Sequence, residues 1–514
     1  MMTSHSENTK RIAKNTVMLY VRMLFSMLVS LYTSRVVLNM LGVEDYGIYN
    51  VVGGLVAMFS MVSSSLSSAV SRFLTFELGR GEMERLKETF STALLIHIVL
   101  AGLVFILSES VGIWFLNTQM TIPSERLYAA NWVFQASVIA FMFGLFSVPY
   151  NASIISHERM STFAYIGILE VVLRLLIVLF IAYVPLGYDK LIAYSLLLVV
   201  VSMSLQCIYL WYCRKHFEEC LFKLHFNKTC WKEMSAFAGW NFIGTTSGLL
   251  KDQGVNILLN IFIGPVVNAA RGISLSVNSA VCSFAKNFMI ALNPQITKSY
   301  ASGDRNYMFL LSERGSRFSF YLILFFALPI FLETDFILKL WLGQYPEHTI
   351  NFVRLVLVLS LCEVLSETLI TMQLATGKIR NYQIAVGGMQ LMNFPLSYIC
   401  LRLKMPPEVT FIVAIFVTLC CMALRFYFLR CMIDLSVKRY LKNVCANVFW
   451  VMLASSAVPL LIHCNMNYGW LRFILVVLLC AVSVSFMAYF IGCNAPERDF
   501  ICNKIKDLKF RLLG

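Results

Sequence analysis

The stretch NFIGTTSGLLKDQGVNILLNIFIGPVVNAARGISLSVNSAVCSFAK, Asn241–Lys286, decides how the rest of the chain is interpreted. It is apolar enough to enter a lipid bilayer, yet it contains Lys251, Asp252, Arg271 and Lys286. A charged side chain at bilayer depth is costly unless it faces a partner or a water-filled cavity. We therefore expect this helical hairpin to line a central hydrophilic cavity.

The composition of the whole chain is that of an integral membrane protein. The 514 residues are 59% hydrophobic and 14% charged, with a mean hydropathy of +0.73, whereas soluble domains carry about 25% charged residues. The net charge of +14 would suggest nucleic acid in a soluble chain. Here the positive-inside rule explains it, so no nucleic-acid partner is expected. The 15 cysteines include no CxxC pair and are interpreted as small hydrophobic residues.

Apolar runs of 18 or more residues predict transmembrane helices. We count fourteen such runs, separated by short loops. Their approximate ranges are 16–41, 47–76, 89–117, 126–152, 161–184, 190–212, 233–263, 267–297, 316–334, 350–376, 382–402, 408–430, 444–464 and 469–492.

The distribution of basic residues predicts the orientation of these helices. An even number of helices places both termini on one side, and most lysines and arginines fall on that side. The positive-inside rule then places both termini in the cytoplasm. The first apolar run follows Lys10 and Arg11 and continues to about Leu41, which is too long for a signal peptide, so we expect it to be retained as helix one.

An internal repeat divides the chain into two lobes. Residues 42–82 align without a gap on residues 264–304, so that Gly42 falls on Gly264 and Gly81 on Gly303. Parallel repeats of this kind are a transporter architecture, with the binding site between the lobes. The predicted domains are 1–229 for the first lobe (helices one to six), 230–435 for the second lobe (helices seven to twelve), and 436–514 for helices thirteen and fourteen with a basic cytoplasmic tail.

Four strings along the chain carry a resemblance to a known family. They are SRVVLNMLGVEDYGIYNVVGG from Ser34, SRFLTFELGRGE from Ser71, LWLGQYP from Leu340 and ATGKIRNYQ from Ala375. With the fourteen helices, they make the chain similar to the polysaccharide (O-antigen, Wzx-like) flippases of the multidrug/oligosaccharidyl-lipid/polysaccharide exporter superfamily. The resemblance covers nearly the whole chain and implies an all-α, MATE-like exporter fold of two pseudo-symmetric six-helix lobes plus two C-terminal helices.

The resemblance also implies a reaction and its partners. Such proteins move undecaprenyl-pyrophosphate-linked oligosaccharide, an O-antigen or capsule repeat unit, from the cytoplasmic to the periplasmic leaflet of the inner membrane. The expected partners are this lipid-linked oligosaccharide, membrane lipid and a polysaccharide polymerase or assembly complex, and the expected oligomeric state is a monomer. No enzymatic activity and no cofactor are expected, apart from Na⁺ or H⁺ as a coupling ion.

Polar stripes on three predicted helices are candidates for substrate binding, because residues three or four apart share a helix face. A pyrophosphate needs cations, which arginine and lysine supply in different geometries. The alternatives are close packing of the small residues in lipid and snorkelling of Arg22 or Arg271 to the membrane surface. The candidate substrate-binding residues are Arg22, Lys251, Arg271 and Lys286 as a ladder of cations, with Asn241 and Asn278 as polar contacts.

Two carboxylates of helix ten are candidates for ion coupling. Glu363 and Glu367 are four residues apart and lie on one face of the helix. Two neighbouring negative charges repel each other unless a cation or a proton lies between them. By resemblance, acidic residues of helices seven and ten hold a coupling sodium ion or proton, so Asp252 joins them as a candidate. The alternative is an ordinary salt bridge from Lys251 or Arg354.

The favoured function is therefore a flippase that works by alternating access, coupled to an ion gradient. A multidrug (MATE-type) cation antiporter is the nearest alternative, but a mainly basic cavity suits cationic drugs poorly. A membrane glycosyltransferase or polymerase should have a large periplasmic loop, which the spacing of the helices does not provide. The chain contains no Walker A loop, no HExxH and no G-x-S-x-G motif, so ATP hydrolysis is not expected.

Overall fold

The computed structural model confirms the all-α prediction. No strand occurs among the residues that it describes. The predicted basic tail after Asp499 lies outside them, apart from Cys502. The described residues are 2–57, 59–118, 120, 122–184, 189–221, 227–499 and 502.

The described residues form α-helices that we number in chain order. The first eight are α1 (Met2–Ala57, broken at Gly42), α2 (Ser60–Arg80), α3 (Met83–Leu107), α4 (Ile113–Thr118), α5 (Leu127–Ser156), α6 (Met160–Tyr183), α7 (Lys190–His216) and α8 (Lys228–Phe262). The others are α9 (Pro265–Ala301), α10 (Arg305–Leu332), α11 (Thr334–Leu342), α12 (Thr349–Ala375), α13 (Arg380–Leu391), α14 (Asn393–Arg402), α15 (Val409–Ile433), α16 (Val437–Tyr440), α17 (Asn447–Asn465) and α18 (Trp470–Met487).

The chain is a multi-pass membrane protein. Within the part of the chain that the structure describes, twelve helical segments are long and apolar enough to cross a membrane. Of the other two predicted helices, 47–76 is divided between the end of α1, at Ala57, and α2, which begins at Ser60, and 233–263 corresponds to the greater part of α8. However, serines in the first and Lys251 and Asp252 in the second interrupt their apolar runs. The number of fourteen spans therefore stays a prediction.

The chain folds into two compact units. Unit 1 comprises Met1–Thr246 and Thr297–Asp304, and unit 2 comprises Ser247–Ile296 and Arg305–Gly514. Helices α8 and α9 thus contribute residues to both units. The domain boundaries predicted at residues 229 and 435 stay predictions.

Four glycines support the internal repeat. Gly42 and Gly264 have φ angles of 81° and 117°, and Gly81 and Gly303 have φ angles of 77° and 80°. Residues with a Cβ rarely adopt this left-handed region, whereas glycine adopts it without strain. The positions that the sequence alignment pairs therefore share the same unusual backbone conformation, with a helix break at the first pair and a helix end at the second.

Helices α17 and α18 belong to the core of unit 2. Val451 and Cys480 pack in one buried cluster with Val281, Phe320 and Leu357 of α9, α10 and α12. A buried carboxylate adds polar contacts with these two helices. Glu333, which follows α10, lies 2.9 Å from Nδ1 of His463 and accepts a 2.9 Å hydrogen bond from Arg472. The last two helices are therefore held to unit 2 by both packing and charge.

The buried ion pairs of Glu333 predict that the protein loses stability when this carboxylate is replaced. Removal of one partner from a buried ion pair costs about 3–5 kcal/mol, and Glu333 has 0% side-chain exposure. We expect Glu333→Gln to lower the thermal unfolding midpoint of the protein purified in detergent. The matched control is Glu347→Gln, because Glu347 is exposed. Equal midpoints for the two variants would contradict this account.

Candidate functional site

The centre of the candidate site is the carboxylate pair on α12. Glu363 and Glu367 are one helical turn apart, and both line two neighbouring cavities in unit 2. The α9 cavity, about 180 Å³, has Lys286 and Asn278 of α9 in its wall. The α15 cavity, about 210 Å³, is lined by Lys251 of α8, Gln390 of α13 and Arg425 of α15, among others. Cations from three helices therefore surround one pair of carboxylates.

Lys251 contacts two carboxylates. Its Nζ lies 3.6 Å from Oε1 of Glu363 and 3.9 Å from Oδ1 of Asp252. Both distances exceed the usual length of a hydrogen bond, so these are loose ion pairs. The salt bridge that the sequence left open for Glu363 is formed with Lys251, whereas Arg354 donates to the carbonyl oxygen of Phe331.

Arg271 is buried beside Asp252. It is 5% exposed, its Nη2 lies 4.0 Å from Oδ1 of Asp252, and its guanidinium lies over the ring of Phe411 at 5.0 Å. Because the side chain is enclosed, it does not snorkel to a surface. Its Nε donates to no described residue. A buried donor without a partner is costly, so the guanidinium keeps an unsatisfied donor beside Asp252, although it lines neither of the two cavities.

Lys286 and Asn278 face the α9 cavity. Lys286 is exposed to it, and within the described ranges no carboxylate lies within the 4.0 Å of an ion pair from its Nζ. Asn278 is held in place, because its Oδ1 accepts hydrogen bonds from Ser360 and, at 3.5 Å, from the thiol of Cys282. The cavity thus has a lysine in its wall whose charge is not neutralised by direct contact.

Sequence reasoning missed Arg425. This residue of α15 is 5% exposed, donates through Nε to the hydroxyl of Tyr382 at 3.3 Å and lines the α15 cavity with both glutamates. The sequence could have identified Arg425 as a candidate, because it lies inside the predicted helix 408–430 and an intramembrane charge marks a candidate site by default.

Arg22 and Asn241 belong to unit 1. The guanidinium of Arg22 lies 4.3 Å above the ring of Phe163, and its side chain packs closely on Gly167. Arg22 therefore contacts α6, and the alternative of snorkelling is not needed to account for its position. Asn241 is 6% exposed, and its carbonyl oxygen accepts a 3.2 Å hydrogen bond from Thr245. The structure thus groups the candidates of unit 2 around Glu363, and the four-cation ladder that includes Arg22 stays a prediction.

The cluster in unit 2 has mixed charge with an excess of cations. Its carboxylates are Asp252, Glu363 and Glu367, and its cations are Lys251, Arg271, Lys286 and Arg425. Such a group of loosely paired charges can bind an anion at its cations and a small cation or proton at its carboxylates. In the described part of the chain, no three His, Cys, Asp or Glu residues are grouped to hold a metal ion.

A family model and a curated membrane protein match the sequence of the chain. A family model described as "Polysaccharide biosynthesis protein" matches residues 12–299. A curated relative, the "Uncharacterized membrane protein EpsK" of Bacillus subtilis (strain 168), is 22% identical over 325 residues. This match covers 62% of the chain and 63% of the relative, so the chain spans less than two thirds of that protein's length.

The fold is that of MATE transporters. An outward-facing multidrug resistance MATE family transporter of the MOP superfamily superposes with a TM-score of 0.71 at 12% identity, covering 83% of this chain and 96% of that one. A MOP superfamily transporter from Pyrococcus furiosus gives 0.68 at 13% identity, covering 83% and 96%. The MATE transporter ClbM in complex with Rb⁺ gives 0.69 at 12% identity, covering 84% and 97%.

The family is that of polysaccharide biosynthesis proteins, and the fold is one found in membrane transporters. The family model matches more than half of the chain, the helices cross a membrane many times, and the solved structures show the MATE arrangement. The chain therefore belongs to the polysaccharide biosynthesis protein family.

Proposed function

We propose that the protein is an inner-membrane flippase that moves undecaprenyl-pyrophosphate-linked oligosaccharide from the cytoplasmic to the periplasmic leaflet. Both termini lie in the cytoplasm, the protein acts as a monomer, and a polysaccharide polymerase or assembly complex takes up its product. The family supports the substrate class, and the fold supports alternating access.

The excess of cations in unit 2 is the observation that best supports the proposal. A pyrophosphate is an acceptor-only dianion that needs donors with positive charge in a low-dielectric site. Lys286 lacks a carboxylate in direct contact among the described residues, and Arg271 has an unused Nε donor. Both can therefore bind the pyrophosphate without first breaking a strong ion pair.

The carboxylate pair supports coupling to Na⁺ or H⁺. Glu363 and Glu367 share both cavities, and two neighbouring carboxylates favour the uptake of a cation or a proton. One solved structure of this fold is a MATE transporter in complex with Rb⁺. We propose Asp252, Glu363 and Glu367 as the coupling residues. A cation antiporter is ranked second, because cationic drugs are repelled by the excess of lysine and arginine.

Lys286 gives the cleanest test of substrate binding. Its removal leaves no carboxylate stranded, so the fold should tolerate Lys286→Ala. Loss of one charge-assisted hydrogen bond, about 1.5–3 kcal/mol, should weaken pyrophosphate binding about 10- to 100-fold. We expect surface polysaccharide to fall accordingly in cells that carry the variant as their only copy.

The matched control for Lys286→Ala is Lys442→Ala. Lys442 is also exposed but lies between α16 and α17 and lines neither cavity. Wild-type polysaccharide in cells with Lys286→Ala, or an equal loss with Lys442→Ala, would contradict the proposed role of the α9 cavity. Immunoblots of membranes would show that both variants insert equally.

A further inference from the structure

Unit 1 contains a cavity of its own, larger than those of unit 2. Its volume is about 460 Å³, within the range of about 300–1,000 Å³ typical of ligand pockets. It lies between α1, α5, α6 and α7. Its described lining includes Tyr49, Tyr209, Ser147, Ser195, Ser202 and Asn151, together with small and aliphatic residues and one ion pair.

The described wall of this unit 1 cavity has no net charge. Its two charged residues, Glu170 and Arg174, neutralise each other through a 2.7 Å ion pair on α6, as their spacing in the sequence predicts. Among the described lining residues, no cation is left over for an anionic head group and no carboxylate for a cationic drug; Arg22 is near Glu170 and Tyr209 but is not part of this lining, and its guanidinium lies over Phe163. The cavity therefore favours a neutral ligand, in contrast to the cation-rich cluster of unit 2.

The hydrogen bonds of the wall favour a ligand that donates. Ser147 donates to Oε1 of Gln206 at 2.5 Å, and Ser195 and Ser202 donate to carbonyl oxygens of their own helix at 2.9 and 3.0 Å. Each hydroxyl has one proton and two lone pairs, so these serines keep acceptor capacity. The Oδ1 of Asn151 has no partner among the described residues. The wall is therefore rich in acceptors.

We propose that the unit 1 cavity binds a sugar residue of the transported oligosaccharide, an inference that rests on the proposed flippase function. A neutral sugar is rich in hydroxyl donors, which match the acceptors of the wall. The rings of Tyr49 and Tyr209 combine an apolar face with a polar tip, which suits the apolar faces and hydroxyl edges of a sugar. A pyrophosphate has only acceptors, so the same wall disfavours it.

Filling the unit 1 cavity should block transport. A Cβ built on Gly144 meets nothing within 4 Å, so Gly144→Leu should place its side chain in the cavity without a clash. We expect surface polysaccharide to fall about 10- to 200-fold, the scale on which small groups discriminate in tight pockets. The matched control is Gly102→Leu, because Gly102 on α3 also meets nothing within 4 Å but lies outside the cavity. Equal polysaccharide in the two strains would overturn the proposal.

Photocrosslinking in living cells identifies the ligand directly. The full chain would carry p-benzoylphenylalanine in place of Phe141, which lines the unit 1 cavity. The control position is Ile139 on the same helix, which is 39% exposed and lies outside the cavity. The reference position is Ser279 in the α9 cavity. After irradiation, periodate oxidation and hydrazide labelling detect carbohydrate that is covalently attached to the protein.

The outcomes separate this inference from the proposed function. Carbohydrate adducts at Phe141 and Ser279 but not at Ile139 support both. An adduct at Ser279 without one at Phe141 overturns the sugar site and leaves the flippase proposal standing. Adducts of equal yield at Phe141 and Ile139 also overturn the sugar site, and the absence of carbohydrate at all three positions overturns both proposals.

Discussion

Arg271→Ala and Lys251→Ala are each expected to abolish surface polysaccharide while the protein still inserts at the wild-type level. Arg271 offers an unused donor next to Asp252, and Lys251 holds Glu363 and Asp252 in one network. Each substitution removes a cation for the pyrophosphate and weakens the neutralisation of a nearby carboxylate: Asp252 loses one of its two cations in Arg271→Ala, and Glu363 loses its contact with Lys251 in Lys251→Ala. The carboxylate charge that remains repels an anionic ligand. The measurement is surface polysaccharide in cells that depend on the variant, with membrane insertion checked by immunoblot.

Arg354→Ala is the matched control for Arg271→Ala. Like Arg271, Arg354 lies over a phenylalanine ring, that of Phe331 at 5.6 Å. Unlike Arg271, it forms no ion pair with Asp252, Glu363 or Glu367 within the described residues, and its Nε donates to a backbone carbonyl. We expect near-normal polysaccharide from this variant. Wild-type levels with both Arg271→Ala and Lys251→Ala, or an equal loss with Arg354→Ala, would show that the cation cluster does not bind the substrate.

Glu363→Gln is expected to uncouple transport from the ion gradient. The amide cannot take up a proton or attract Na⁺ as the carboxylate does, while its shape is nearly unchanged. In proteoliposomes, an imposed pH or sodium gradient should accelerate transport by the wild-type protein and leave transport by the variant unchanged. An undiminished response of the variant would remove Glu363 from the coupling site.

A charge exchange distinguishes coupling from a merely structural ion pair. Glu363 lies 3.6 Å from Lys251, so the double variant Lys251→Glu with Glu363→Lys can preserve the pair. If the pair only stabilises the fold, the double variant should regain transport with its normal gradient response. If Glu363 is a coupling residue, the double variant should insert but show no gradient response. The proposal requires the second result.

The sequence predicted the parts of the site that lie on single helices. The intramembrane charges of residues 241–286 identified Lys251, Asp252, Arg271 and Lys286, and helical spacing placed Glu363 and Glu367 on one face. Both inferences need only the regular geometry of a helix and the cost of charge in a bilayer. The repeat likewise rested on local glycines, whose positive φ angles the structure shows at each aligned position.

The parts that depend on helix packing were beyond the sequence. Arg425 meets Tyr382 and the two glutamates because α12, α13 and α15 pack together, and no local motif records that contact. Lys251 of α8 lies 3.6 Å from Glu363 of α12, and this contact between two helices is not recorded in the spacing of residues along either one. The unit 1 cavity is assembled from four helices, so its acceptor-rich wall appears in no continuous stretch of residues.

The most direct test of the central claim is a flippase assay with purified protein. Liposomes containing the full chain and undecaprenyl-pyrophosphate-linked oligosaccharide would be sampled from outside with a membrane-impermeant reagent that modifies the glycan. The account predicts that the wild-type protein speeds the appearance of inner-leaflet glycan at the outer surface and that the Arg271→Ala protein does not. Equal rates in protein-free liposomes and in liposomes with the wild-type protein would contradict it.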